Sequence, residues 1–193
     1  KKTLVATVMS NMGLEKVVTD RGAKLLRTNV GDRYVVEAMR AKGCNFGGEQ
    51  SGHLIFLDHN TTGDGTLAAL QLLSIMIKRK KPLSELAEIM TAYPQVLENV
   101  RLSSRIEPEQ IRGFPEALKA AEEKLGKQGR ILVRASGTEP VIRVMVEGEN
   151  AEQVTALAKQ LAGVVAAAAA RLVRRPHQPL FGRCRVRRRA GYC

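Results

Sequence analysis

The chain has 193 residues, of which 44% are apolar and 26% charged. This composition suits one or two folded domains and excludes a fully disordered polypeptide. An odd number of cysteines without C-x-x-C spacing indicates neither a disulfide framework nor a zinc site, and it favours a reducing, cytoplasmic location; the three are Cys44, Cys184 and Cys193.

The formal net charge of +12 is concentrated at one end of the chain. Residues 171–193 contain eight arginines and no acidic residue, so the remainder is only mildly basic. This segment has no apolar period, which predicts a disordered extension, and we interpret it as a frame-shifted or vector-derived end rather than a functional basic arm. Nucleic-acid binding is not expected, because only Phe181 and Tyr192 could stack on bases there.

Strands and helices alternate through the first half of the sequence. Such alternation is typical of βαβ units and predicts an α/β fold with a mixed, largely parallel sheet. Apolar patterns predict strands over 4–9, 24–28 and 54–57 and helices over 13–21, 33–41, 65–78 and 83–91. In the last helix, four residues at helical spacing are expected in the core: Leu83, Leu86, Ala87 and Met90.

The pattern changes at Tyr93 and Pro94, because proline disfavours helix in the residue before it. The expected domains are therefore 1–92 and 93–170, followed by the extension 171–193. The second domain is predicted to be a small α+β unit with an antiparallel sheet, built from strands over 96–102, 130–133 and 141–147 and helices over 115–125 and 152–169.

The stretch 134–140, R-A-S-G-T-E-P, is predicted to join two strands and to bind a phosphate group. Ser136 and Thr138 offer hydroxyl donors, and Gly137 would let backbone N–H groups turn inward into an anion-binding nest. The guanidinium groups of Arg134 and Arg143 offer planar forks that match phosphate oxygens. The alternative is an ordinary hairpin turn with two solvated arginines.

A second candidate site is the stretch 47–53, G-G-E-Q-S-G-H, which runs into a predicted strand. Its glycines permit positive φ and the close approach of a ligand. The Glu49 carboxylate could accept hydrogen bonds from two neighbouring sugar hydroxyls, and Ser51 can donate or accept beside it. Because histidine titrates near neutral pH, His53 could act as a proton shuttle; the alternative is a structural histidine.

Together, these two motifs resemble the α-D-phosphohexomutase superfamily and, within it, the bacterial phosphoglucosamine mutase family. Three further stretches are similar to that family and occur in the same order: T-V-M-S-N-M-G-L-E at 7–15, V-G-D-R-Y-V at 30–35 and N-T-T-G-D-G at 60–65. The resemblance runs from about residue 4 to about residue 166. It implies that the chain corresponds to the third and fourth of the family's four domains.

The resemblance also implies an isomerase that interconverts glucosamine 6-phosphate and glucosamine 1-phosphate, through a phosphoserine and a 1,6-bisphosphate, for amino-sugar nucleotide and cell-wall precursor synthesis. For Asp32, a helix cap is an equal alternative to a place in the cleft. By motif match, substrate binding is expected from Glu49, Ser51, Asp32 and Arg33, proton shuttling from His53, and phosphate binding from Arg134, Ser136, Gly137, Thr138 and Arg143.

The catalytic serine and the magnesium loop of the family belong to domains not found in this sequence. Mg²⁺ and glucosamine 1,6-bisphosphate are therefore expected as cofactors of the parent enzyme, with the missing N-terminal domains as partners. No metal site is expected here, because the nearest carboxylate pair, Asp58 and Asp64, is too small a set for a hard cation. The chain by itself is expected to be inactive.

Two other functions stay open. A sister phosphohexomutase acting on mannose or glucose phosphates would use the same two loops, and no residue decides the substituent at the sugar's 2-position. The stretches 30–35 and 60–65 favour the glucosamine enzyme by analogy. The other alternative is a noncatalytic sugar-phosphate-binding module.

Overall fold

The structure, a computed structural model, describes residues 2–173. It contains two sheets, one formed by each half of the chain. The predicted fold class, an α/β mixed sheet followed by a small antiparallel α+β part, is confirmed. Helix α6 (Ala151–Val173) includes the first three residues of the predicted extension, and the rest of that extension lies outside the described residues.

The first sheet has four strands in the order β2-β1-β3-β4. Strand β1 runs parallel to β2 and β3, and β4 runs antiparallel to β3. The strands are β1 (Thr3–Thr7), β2 (Lys24–Thr28), β3 (Phe46–Gly48) and β4 (Leu54–Phe56), and the helices of this half are α1 (Met12–Asp20), α2 (Asp32–Lys42), α3 (Gly65–Arg79) and α4 (Leu83–Ala87).

The core of the first sheet is small and lies under α2. Val35 and Met39 of this helix pack against Val5 of β1 and Ile55 of β4, and all four side chains are fully buried. Strand β3 was not predicted from the sequence, because its two glycines carry no apolar side chain. A Cβ at Gly47 would lie 2.6 Å from the Met39 sulfur, so a side chain at this position would force neighbouring atoms to shift.

The prediction of a helix over 83–91 with a buried apolar face is wrong. Helix α4 ends at Ala87 and buries none of its residues; the Leu83 side chain and Ala87 are exposed, while Leu86 and Met90 are half-buried. Five residues make little more than one turn, so the i, i+3, i+4 spacing does not become a continuous packed face.

The second sheet is fully antiparallel, in the order β5-β7-β6. Its strands are β5 (Gln95–Arg101), β6 (Gly129–Ala135) and β7 (Val141–Gly148), and α5 (Phe114–Leu125) and α6 cover one face. Alternation along β7 points Ile142, Val144 and Val146 into this helix-covered core, while Arg143 and Glu147 lie on the opposite face. Among residues 2–173, no helix is both long and apolar enough to cross a membrane.

Candidate functional site

Two arginines face each other across the second sheet, at the end where β6 and β7 are joined. Arg134 of β6 pairs directly with Arg143 of β7, so their side chains share the face opposite the helices. Burial lowers the pKa of Arg134, and the neighbouring charge of Arg143 lowers it further. The Nε atom of Arg143 is buried and has no hydrogen-bond partner among the described residues. An anion bound here would offset the repulsion and accept that hydrogen bond.

The connection between these strands is held by its own backbone. The Ser136 N–H donates to the Val141 carbonyl at 2.8 Å, and the Ser136 hydroxyl accepts from the Glu139 N–H at 3.4 Å. Ser136 is buried, whereas Gly137 and Thr138 are exposed. The φ angle of Gly137 lies outside the left-handed region, so the predicted nest does not depend on the conformational freedom of this glycine.

A third arginine, Arg105, was missed by the sequence analysis. Its Nη2 donates to the Gly137 carbonyl at 2.6 Å, which ties the segment after β5 to the loop between β6 and β7. Together with Arg134 and Ser136, it lines a cavity of about 430 Å³. No motif or spacing signals this contact, because Arg105 lies in an irregular stretch of the chain far from the R-A-S-G-T-E-P segment.

The second candidate site is organised around Glu49. Its side chain is 9% exposed, and its Oε1 accepts a hydrogen bond from the Gly31 N–H at 2.9 Å. Its Oε2 lies 3.7 Å from Nδ1 of His53. The structure therefore brings the 47–53 stretch together with the turn that precedes α2, through a Gly31 contact that the sequence does not predict.

Ser51 and His53 lie at the exposed rim of this site. The Ser51 hydroxyl is 3.3 Å from His53 Nδ1, and the His53 side chain is 57% exposed. Of the three glycines in the 47–53 stretch, only Gly52 has a positive φ, at 100°. Positive φ for Gly47 and Gly48 was the wrong expectation, because both lie in β3 and are needed there for close packing.

Asp32 and Arg33 begin α2 beside Glu49. The N-cap of this helix is Gly31, so Asp32 is a first-turn residue rather than the literal cap, and its Oδ1 accepts from the Arg33 N–H at 2.7 Å. The Arg33 side chain is exposed and donates to Glu37 at 2.8 Å, and this hydrogen bond raises its pKa. Within residues 2–173, neither residue forms a hydrogen bond with Arg134 or Arg143.

The two carboxylates considered as a metal pair serve local structure. Asp64 is the N-cap of α3, and a hydrogen bond from the Leu67 N–H, 2.9 Å long, lowers its pKa. Asp58 accepts from the Asn45 side-chain amide at 2.6 Å. Within residues 2–173, no group of three or more His, Cys, Asp or Glu side chains is arranged to hold a metal ion.

The two candidate sites line different cavities. Arg134 and Ser136 line the cavity of about 430 Å³ described above, whereas Glu49 and its neighbour Gln50 line a second cavity of about 290 Å³. The turn between β1 and α1 lines this second cavity as well, through Ser10 and Asn11. The predicted residues thus form two groups, one on each sheet.

Two family models match the chain in succession. The model described as phosphoglucomutase/phosphomannomutase, alpha/beta/alpha domain III, matches residues 1–93. The model described as phosphoglucomutase/phosphomannomutase, C-terminal domain, matches residues 77–164. This chain belongs to the phosphoglucomutase/phosphomannomutase family. The resemblance inferred from the five sequence motifs is confirmed.

Curated relatives of this chain include phosphoglucosamine mutases. That of Desulfotalea psychrophila is 61% identical over 165 residues, covering 86% of this chain and 37% of the relative. That of Nitratidesulfovibrio vulgaris is 60% identical over 163 residues, covering 84% of this chain and 36% of the relative. The chain therefore spans little more than a third of the length of these relatives.

Solved structures share the fold at lower identity. Aspergillus fumigatus N-acetylphosphoglucosamine mutase in complex with glucose 1,6-bisphosphate has a TM-score of 0.73 and 21% identity, covering 86% of this chain and 38% of that one. The same fungal enzyme with GlcNAc-6P and magnesium has a TM-score of 0.69 and 21% identity, covering 85% and 41%.

Proposed function

We propose that this chain is the sugar- and phosphate-binding part of a phosphoglucosamine mutase, an isomerase that interconverts glucosamine 6-phosphate and glucosamine 1-phosphate. The observation that carries the proposal is the Arg134–Arg143 pair, in which two arginines are direct cross-strand neighbours. Within residues 2–173, the buried Nε of Arg143 has no hydrogen-bond partner. A phosphate dianion supplies the missing charge and the missing acceptor at once. The identity to phosphoglucosamine mutases supports the choice of reaction.

In this proposal the phosphate group lies against Arg134 and Arg143, with hydroxyl donors from Ser136 and Thr138 and backbone contact at Gly137. Arg105 holds the loop through the Gly137 carbonyl. In this proposal the phosphate bound here is the one distal to the phosphoserine of the parent enzyme, and the loop hydroxyls act as hydrogen-bond donors to it. Its task is orientation of the sugar.

The sugar ring is proposed to lie against Glu49. Since Oε1 is already held by the Gly31 N–H, Oε2 is the oxygen that accepts hydrogen bonds from sugar hydroxyls. Ser51 adds a hydroxyl at the rim, and His53, close to both residues, would hold or move a proton there. Asp32 and Arg33 border the same cleft from the start of α2.

The phosphoryl transfer itself needs groups that these residues do not supply. In the proposed parent enzyme, a phosphoserine would give its phosphoryl group to the sugar and take one back from glucosamine 1,6-bisphosphate, and a bound Mg²⁺ would supply positive charge for this transfer. The donor set in residues 2–173 does not fit that ion, because Asp64 caps α3 and Asp58 is held by Asn45. The serine and the magnesium site are therefore assigned to the partner domains of the parent enzyme.

Titration of the isotope-labelled 193-residue chain with glucosamine 6-phosphate, followed by NMR, tests the binding role. Arg143→Ala should weaken binding by about 10- to 100-fold, the scale of one lost charge-assisted hydrogen bond. Arg112→Ala is the matched control. It removes an exposed arginine that lies just before α5, and it should leave the affinity unchanged. Equal affinity in the unsubstituted chain and in Arg143→Ala would show that the arginine pair is not part of the proposed site.

One measurement separates the proposed reaction from a sister enzyme, and another tests the assignment of the serine and the metal to other domains. Tighter binding of mannose 6-phosphate than of glucosamine 6-phosphate would favour a sister phosphohexomutase. The chain alone, given Mg²⁺ and glucosamine 1,6-bisphosphate, should show no formation of glucosamine 1-phosphate above a buffer control. Sustained turnover would contradict the assignment of the serine and the metal to other domains.

A further inference from the structure

Glu147 is a fully buried carboxylate to which the proposed function gives no task. It lies on β7 on the same face as Arg143, four residues along the strand, or about 13 Å away. Its cross-strand partner is Arg130 of β6, just as Arg134 is the partner of Arg143. The face opposite the helices therefore carries a phosphate-binding pair at one end and an ion pair at the other.

This ion pair connects the two sheets. Within the second sheet, Arg130 Nε donates to Glu147 Oε2 at 2.8 Å. Across to the first sheet, Glu147 Oε1 accepts from the Met12 N–H at 2.7 Å, and Arg130 Nη2 donates to the Ser10 carbonyl at 2.7 Å. Each of the two side chains thus makes one hydrogen bond to the other within the second sheet and one hydrogen bond to the turn between β1 and α1.

The turn between β1 and α1 also forms hydrogen bonds with β2 and with Tyr93. The Ser10 carbonyl also accepts from Arg27 Nη1 of β2 at 2.7 Å. Asn11 exchanges two hydrogen bonds with the Tyr93 backbone, at 3.0 Å to the carbonyl and 2.9 Å from the N–H. Because Ser10 and Asn11 line the cavity that contains Glu49, the turn physically joins the sugar site to the sheet that carries the phosphate site.

Stability alone does not explain an ion pair at this position. Removing two charges from water costs about as much as their attraction returns, and apolar residues of similar volume usually stabilise a fold equally well. Directional hydrogen bonds to two specific backbone groups, however, select one relative placement of the turn and the sheet. This is a property that apolar packing does not provide as sharply.

We propose that Glu147 and Arg130 are positioning residues, which fix the separation between the Glu49 sugar site and the Arg134–Arg143 phosphate site so that one hexose phosphate engages both. This inference rests on the proposed function for its ligand, but its structural part stands on the contacts above. Neither residue touches the sugar or the phosphate in this proposal, so they act through the distance between the two sites.

The principal variant is the double substitution Arg130→Met with Glu147→Leu, which removes every contact of the ion pair without leaving a lone buried charge. Inorganic phosphate and glucosamine 6-phosphate are the two probes. The double variant should keep its affinity for inorganic phosphate, which needs only the arginine pair, and lose most of the additional affinity that glucosamine 6-phosphate gains from the sugar site. Equal proportional weakening for both probes, or no change for either, would overturn the proposal.

A distance measurement tests the same idea without a ligand. Spin labels at Gln50→Cys and Thr138→Cys, both exposed positions, are introduced after the native cysteines have been replaced. The distribution of distances between the two labels should be broader in the double variant than in the labelled chain that keeps Arg130 and Glu147. Glu15→Gln, which removes only the Arg27–Glu15 ion pair beside the same turn, is the matched control and should leave it narrow. An unchanged distribution in the folded double variant rejects the positioning role.

The outcomes separate this inference from the proposed function. If the unsubstituted chain binds neither probe, the proposed function fails. The distance distribution then still decides the role of the ion pair. If the double variant does not fold, Glu147→Gln is measured in the same way, because it keeps the volume and loses the charge. It should broaden the distribution to a smaller extent, and a distribution as narrow as that of the parent overturns the proposal.

Discussion

The two halves of the molecule support their loops by different means. The second sheet has strands of seven and eight residues over a continuous core of 13 buried apolar residues. In the first sheet, β3 and β4 have three residues each, the buried core has five residues, and the 15-residue helix α3 buries none of its side chains. The loop proposed to bind phosphate, residues 136–140, is thus anchored in a packed sheet, whereas the loop proposed to bind the sugar, residues 49–53, depends on individual hydrogen bonds.

This difference suits the tasks proposed for the two loops. Two like-charged guanidinium groups stay side by side only if the strands that carry them cannot move apart, and burial on the helix side of β7 provides that rigidity. The Glu49 carboxylate needs less support from a core, because a single hydrogen bond from the Gly31 N–H already fixes one of its oxygens. The comparison predicts that the two halves will respond differently to substitution.

The largest effect is expected in the core of the second sheet. Ile142 is fully buried, so Ile142→Ala should lower the free energy of unfolding by about 2–5 kcal/mol through lost burial and the cavity that remains. Urea unfolding followed by circular dichroism measures this. Leu97→Ala, on β5 of the same sheet but with an exposed side chain, is the control and should cost less than about 1 kcal/mol. Similar costs for the two variants would show that the packed core is not what distinguishes this sheet.

In the first sheet, the packing of β3 against α2 is tested best by a substitution that adds volume and not by one that leaves a cavity. Gly47→Ala would place a Cβ 2.6 Å from the Met39 sulfur and 2.8 Å from the Val5 carbonyl oxygen, so it should cost about 1–3 kcal/mol of stability. Gly65→Ala is the matched control, because a Cβ there meets nothing within 4 Å, and it should be neutral or slightly stabilising. Unfolding curves in which the two variants coincide would contradict the close approach of β3 and α2.

The same contrast explains what the sequence could predict. The strands and helices of the second half were predicted to within a few residues, because long runs of alternating or helically spaced apolar residues leave little choice. Strand β3 was missed, since its glycines show their role only when Met39 is known to lie above them. The arginine pair followed from the motif. The contact of Arg105 with Gly137 and that of Glu147 with Met12 join residues 32 and 135 positions apart, and they have no signature in local spacing.

A smaller effect is expected where α3 begins. The hydrogen bond from the Leu67 N–H lowers the pKa of Asp64 below the ordinary 3.8, so its stabilising contribution is present above that pH and is lost as the pH falls through the lowered value. Asp64→Ala should therefore lower the melting temperature at pH 7, and this deficit should shrink as the pH is lowered below 3.8, while Asp64→Asn, which can still cap, should cost less. A deficit of equal size at pH 7 and below pH 3.8 would mean that the carboxylate charge is not involved.

The smallest effect on stability is expected on the outer face of α3. Leu70, Leu73 and Ile77 follow each other at helical spacing and are 60%, 51% and 76% exposed, so serine at all three positions should change the free energy of unfolding by no more than about 1 kcal/mol. The same replacement should reduce self-association, because it removes an exposed apolar stripe. Sedimentation velocity and urea unfolding of the triple variant measure the two effects, and Lys78→Ser, at the end of the same helix, is the control.

A large loss of stability would show that α3 packs against the first sheet in solution through this face. The contrast between the halves would then be weaker than their cores suggest, because the sugar loop would gain from α3 the support that α5 and α6 give to the phosphate loop.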